Sequence, residues 1–415
     1  VVTLAAAISS SDDAISFGDV TLGADTSINS NGGTIITGAI VGTAGEDLSI
    51  SSTGGTTNTV SVGVIGGAVS NINTVQFTAD TSITLGGAIT TNALAGNTVT
   101  LTAPTLDMGS VTINTNNTVD GNVTFTTNTL TNPGTVDAGT ATFQITPNTA
   151  THVIEFASTN SAAVTENVFY DSDFSGITAG SFIVGDTLHT GDIYIGNDLA
   201  ALTFNPSLTA QNSALGQILL SSDYTSAGGN LSLNSGSGIS LQDLAADTTT
   251  AINLSSGIFT ATGNVTLADN TVSITATGGI TFNNRVNADD ALTQDRTLIL
   301  DSGTAGNITV SGNVGDAQAL AGLTITQSNG ATFTGTVEVT DATGTITLID
   351  TEDNQTIAFQ GNTAANTLTS ASLGYNLSFI GSTNTFANLV TFQNTGSLTL
   401  GDNAADTFVF NGGLT

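Results

Sequence analysis

An apolar residue, a Ser or Thr, and a second apolar residue recur along the whole chain, each time after Gly, Asn or Asp. Examples are GEDLSI at residue 45, DTSITL at 80, GNTVTL at 96, GNVTF at 121, GNLSL at 229, GNVTL at 263, GNITV at 306, GTITL at 344 and GSLTL at 396. Period-two alternation of this kind is the pattern of a short strand with one buried face. In GNVTLADNTVSITATGGITF, residues 263–282, the strands start at Val265, Val272 and Ile280, in steps of seven and eight residues. Three such steps make a circuit of roughly 20 to 25 residues, within the repeat range of solenoids. A hairpin meander needs Asn-Gly or Asp-Gly pairs at regular places, and such pairs are sparse here. Helical periodicity is nearly absent, and GDAQALAGL at 315–323 predicts one or two helical turns at most.

The expected fold is therefore all-β, a parallel β-helix or β-solenoid in which like residues stack and Thr, Asn and Ser form ladders along the faces. The spacing predicts a single elongated solenoid over 1–415, of roughly 18 to 20 coils and on the order of 90 Å long. Irregular spacing between triplets predicts coils that carry looped-out excursions. Residues 150–226 hold both His and three of the four Tyr, with Phe156, Phe169, Phe174, Phe182 and Phe204. That stretch reads as aromatic stacks in wider coils, or else as a distinct excursion; aromatic residues most often report core.

Composition restricts the function. Only 8% of residues are charged, and the net charge is −31, with Arg285 and Arg296 as the only basic residues besides two His. Binding to nucleic acid by phosphate neutralisation needs clustered Lys and Arg, and docking on anionic lipid needs the same. Both are excluded as partners. Five of the 33 acidic residues are Glu and the rest are Asp, the turn former, which places the acid in turns. There is no Cys, so disulfides, thiolate metal sites and cysteine nucleophiles are absent. No segment reaches the length of a membrane helix, and VVTLAAAISS lacks the basic region of a signal peptide.

Candidate chemistry is thin. DSDFSG places Asp171, Asp173 and Ser175 before Gly176, the first half of a calcium loop in which alternate oxygens face one ion. Phe182 stands where the bidentate Glu of an EF-hand would fall, so the set is a candidate for a looser calcium site; the simpler reading is a solvated turn. DTEDN at 350–354 is a weaker version. NRVNADDALTQDR gathers Asp289, Asp290 and Asp295 with both arginines. Paired carboxylates of this type serve polysaccharide hydrolysis, one protonating the leaving oxygen and the other activating water. The plainer reading is local pairing of the two cations. His152 and His189 have no partner at ligand spacing. The sequence thus predicts no catalytic residues, no required cofactor, and calcium as the one metal to consider.

The segment SGITAGSFIVGDTLHTGDIYIGNDLAALTFNP, residues 175–206, resembles the repeats of large bacterial filamentous-haemagglutinin-like adhesins. TGGITFNNRVN at 277 and LAGLTITQSNGATFTGTV at 320 resemble phrases of the same β-strand-repeat surface proteins. The resemblance implies a right-handed parallel β-helix, exported and displayed on a bacterial surface. The family's amino-terminal secretion domain is not visible in these residues. The expectation is an extracellular structural or adhesive protein, a filament, shaft or layer subunit, that self-associates and meets glycans or a neighbouring cell surface. A carbohydrate-active β-helix enzyme using Asp289 and Asp290 is the alternative. The apolar strands VVTL and TFVF at the two ends predict either that the chain is one section of a longer polypeptide or that subunits join end to end by strand addition.

Overall fold

The computed structural model describes residues 1–56, 58–67, 72–92, 96–157, 168–170, 176–196, 201–242, 249–289, 295–341 and 343–415. Among these the chain is all-β, without a helix, and its parallel stacked sheets form a β-solenoid of about 15 turns.

The stretch 263–282 shows how a turn is made. Its three strands, Val265–Leu267, Thr271–Thr275 and Gly279–Phe282, lie on three different sheets. The chain then passes under its starting point, where Val286 pairs with Val265. Val265, Leu267, Val272, Ile274, Ile280 and Phe282 are at most 1% exposed, while Thr266, Ser273 and Thr281 between them face outward. Alternation puts the apolar pair inside and the hydroxyl outside. Each inward Val, Ile, Leu or Phe contributes about 1.5–3 kcal/mol by leaving water.

The chain divides into two compact units, Val1–Phe156 with Val164–Gly191, and Ala157–Ala163 with Asp192–Thr415. In the first, aliphatic residues stack in register, as in the column Ile40, Ile65, Ile89, Ile113, in which every residue is 0% exposed. In the second, one inward column runs Phe282, Val310, Phe333, Phe359, Phe379.

Paired residues in successive coils are separated by as few as 18 positions (Val2 with Val20) and commonly by more than 20, up to 28 (Leu231 with Phe259). One coil is longer, Phe143 pairing with Phe182 across 39 positions. Coils longer than the shortest ones explain why the turns number about 15 and not 18 to 20. In the aromatic stretch, Phe156, Phe169, Phe182, Phe204 and Tyr224 are at most 5% exposed and belong to the core. Phe174 lies outside the described residues.

The helical turn expected at 315–323 does not form. Leu320 is drawn into the core at 0% exposure, and the local N–H groups bond across coils. Ala317 donates to the Asn287 side chain at 3.1 Å, and Leu320 donates to the Glu338 carbonyl at 3.2 Å. Bonds to neighbouring coils replace the i to i−4 bonds a helix needs.

Candidate functional site

The structure spends much of the acid on the scaffold. Where a strand begins, a short Asp or Asn side chain reaches the next coil and accepts its backbone N–H. Asp19 accepts from Ala39 at 3.0 Å, Asp25 from Asp47 at 3.0 Å, Asp192 from Gln217 at 2.8 Å and Asp223 from Ala251 at 2.6 Å. Asn122, Asn230 and Asn362 do the same for Thr142, Ile258 and Thr383 at 2.8–3.0 Å. A second group closes turns within a coil. Asp107, Asp137 and Asp301 accept from Gly109, Gly139 and Gly303, whose φ angles of 57–60° fit glycine.

Glu46 belongs to this scaffold. It is 4% exposed and accepts the N–H groups of Thr43 and Ala44 at 2.7–2.9 Å, together with the Thr43 hydroxyl. Burial alone would push its pKa up, but these hydrogen bonds outweigh it and lower the value to about 2. Asp120 is likewise held below the usual carboxylate range by the Thr140 N–H and hydroxyl.

Of the carboxylates proposed for catalysis, Asp289 grips Arg296 through both oxygens, at 2.6 and 3.0 Å. The Arg296 side chain is 4% exposed and also donates to the Asn270 side-chain oxygen Oδ1 at 2.8 Å. Both acceptor edges of Asp289 are therefore occupied by a fork that neutralises it. Asp290 lies outside the described residues, and Asp295 is exposed. Arg285, 55% exposed, meets Asp316 at 3.4 Å. The plainer reading of the sequence, local pairing of the two cations, holds for Arg296 with Asp289, whereas Arg285 meets Asp316, 31 positions on and outside the segment that suggested it.

Asp171, Asp173 and Ser175, the calcium candidates, lie outside the described residues. Among the described ones no group of three or more His, Asp or Glu is placed to hold a metal. DTEDN forms a turn around Asn354, whose φ is 66°. His189 is buried and His152 half-buried.

Two open grooves were not apparent from the sequence. In the first unit a cavity of about 440 Å³ is lined by Asp25, Ser27, Asp47, Ser49, Thr74 and Gln76, contributed by three successive coils. Ser27, Ser49 and Gln76 are register partners on the outer face of one sheet. Asp47 also accepts from Thr74 N–H at 3.2 Å and from the Asn73 amide at 3.3 Å. In the second unit a cavity of about 330 Å³ is lined by Asn212, Asn234, Thr262, Asn264 and Asn284. Both are open to solvent and lined mainly by polar side chains that can hydrogen-bond hydroxyl groups. The phrases ADTS and EDLS, one coil apart, are the only trace of the first groove in the sequence.

The outer faces carry long polar columns. One in the second unit runs Thr209, Ser232, Thr260, Thr281, Thr309, Thr332, Ala358, Ser378, Thr399 in unbroken register. No family model, no curated protein and no solved structure matches this chain.

Proposed function

We propose that the chain is an exported structural or adhesive element of a bacterial cell surface, passive in mechanism, with glycans, a neighbouring surface or further copies as its partners. One observation carries this reading. Asp and Asn side chains are engaged in coil-to-coil bonds, as at Asp25, Asp192 and Asn230, and outward positions form long columns made mostly of hydroxyl side chains. The scaffold thus turns its acidic residues into stiffness and offers polar area on its outer faces. The resemblance of residues 175–206 to adhesin repeats points the same way. Antibody raised against the chain tests it on intact cells of the organism that encodes it. Labelling without permeabilisation is expected, and labelling only after permeabilisation overturns the proposal.

A further inference from the structure

Three successive strands of the first unit, Ile72–Ala79, Thr98–Thr102 and Asn122–Thr126, present a three-by-three array of outward side chains. Its rows are Thr74, Gln76, Thr78; Thr98, Thr100, Thr102; and Asn122, Thr124, Thr126, in strict register from strand to strand. Seven of the nine are Thr, and none is charged or aromatic.

Several Thr hydroxyls of the chain are engaged by neighbouring side chains. Thr112 bonds Thr135 at 2.8 Å, Thr142 bonds Ser181 at 3.0 Å, and the Thr140 hydroxyl bonds Asp120 at 2.7 Å. The seven of the array make no side-chain hydrogen bond among the described residues, so their hydroxyls face outward with their bonding capacity intact. Branching at Cβ restricts χ1 and holds each hydroxyl and methyl in place. The mesh is set by the backbone, about 4.8 Å between strands and roughly 6.7 Å between alternate residues.

We propose that this array is an ice-binding face. A single hydroxyl gains little by exchanging liquid water for another partner. A two-dimensional array therefore binds strongly only to a surface that repeats in two dimensions and engages the groups together. Ice offers a mesh of oxygens close to this one and accepts both hydroxyls and methyls. Charge decides against other occupants. A second copy laid face to face brings another 31 negative charges, and the face has no cation for an anionic polymer. A soluble glycan chain follows one column at most, and no aromatic ring is present to stack on a sugar. The inference goes beyond the surface role proposed above and does not depend on where the chain is displayed.

The test is partition of the purified chain during slow growth of ice on a cooled surface, with an unrelated acidic protein as control. The chain is expected in the ice fraction with an enrichment on the order of tenfold, equivalent to about 1.4 kcal/mol. Thr100→Lys with Thr124→Lys removes the enrichment, and Thr281→Lys, on the second unit, keeps it. Thr100→Val with Thr124→Val deletes hydroxyls at constant shape and lowers the enrichment severalfold, which keeps the test decisive where the Lys variant fails to fold. Partition equal to the control overturns the proposal, as does a folded double variant that partitions like the wild type. Binding to crystalline neutral polysaccharide without binding to ice also overturns it.

Discussion

Among the described residues the second unit holds a parallel stack of three rings, beside tilted and edge-on pairs such as Phe379 with Phe386 at 85°, whereas the first holds no such stack. In the second, Phe333, Phe359 and Phe379 stack with centroids 5.0 and 4.8 Å apart and ring planes within 7° and 2°. In the first, Phe125 meets Phe143 at 84°, Phe143 meets Phe182 at 27°, and Phe156 meets Phe182 at 39°. The regular stack lies where successive coils pair residue for residue, as Phe333 with Phe359 and Phe359 with Phe379. The tilted cluster surrounds the long coil in which Phe143 pairs with Phe182. Phe recurs at the same paired position in three successive coils, although the steps between them are 26 and 20 positions, so one ring orientation serves all three. Near the long coil Phe125 pairs with Ile145 and not with Phe143, so its ring meets Phe143 edge-on, and rings turn to fill the interior.

Substitution of Phe359 tests this difference with the largest effect. Phe359→Ala removes a ring held between two parallel neighbours and is expected to cost about 3–5 kcal/mol, measured by denaturant unfolding. Phe143→Ala is expected at the lower end of that range, because tilted neighbours close into the space more readily. Equal losses would break the comparison.

The two ion pairs of the second unit sharpen it, since order there also depends on polar contacts. Asp289→Ala leaves Arg296 buried without a carboxylate and is expected to cost about 3 kcal/mol. Asp316→Asn, at the exposed Arg285, is expected to cost less than about 1 kcal/mol in the same measurement. A large loss at Asp316 with a small one at Asp289 would contradict the burial of the two arginines.

In the first unit the corresponding polar anchor is Glu46. Its folded pKa of about 2 lies below the ordinary 4.5. Its contribution is therefore fully present above pH 4.5 and is lost as pH falls toward 2. Glu46→Gln is expected to cost about 2 kcal/mol at neutral pH. The gap between wild type and variant should shrink across that acid window when melting is followed against pH. A gap that is constant with pH would mean that the carboxylate is not the anchor.

Much of the fold was legible in the triplets. Val265, Val272 and Ile280 marked three strands of one coil, and the return at Val286 falls within the circuit that their spacing implied. The sites were less legible. The groove at Asp25, Asp47 and Gln76 and the array around Thr100 draw on residues more than 20 positions apart, which share a surface only because coils stack. Asp289 read equally well as an acid catalyst or as a partner for Arg296, and only the position of the guanidinium decided between them.

What the sequence determined by itself is the alternation: which side chains face inward, that the strands are short, and that Asp and Asn occupy the corners. A period of two assigns each residue to a face before any tertiary contact exists. The tertiary structure decided the register between coils, and with it everything that depends on neighbours. Thr100 beside Thr124, Phe333 beside Phe359, and Asp25 beside Asp47 are consequences of coil length, summed over every turn and corner between them. Coils of 20 to 28 residues keep one column in register, so the corners absorb the difference in length, and local periodicity carries no information about how they do so.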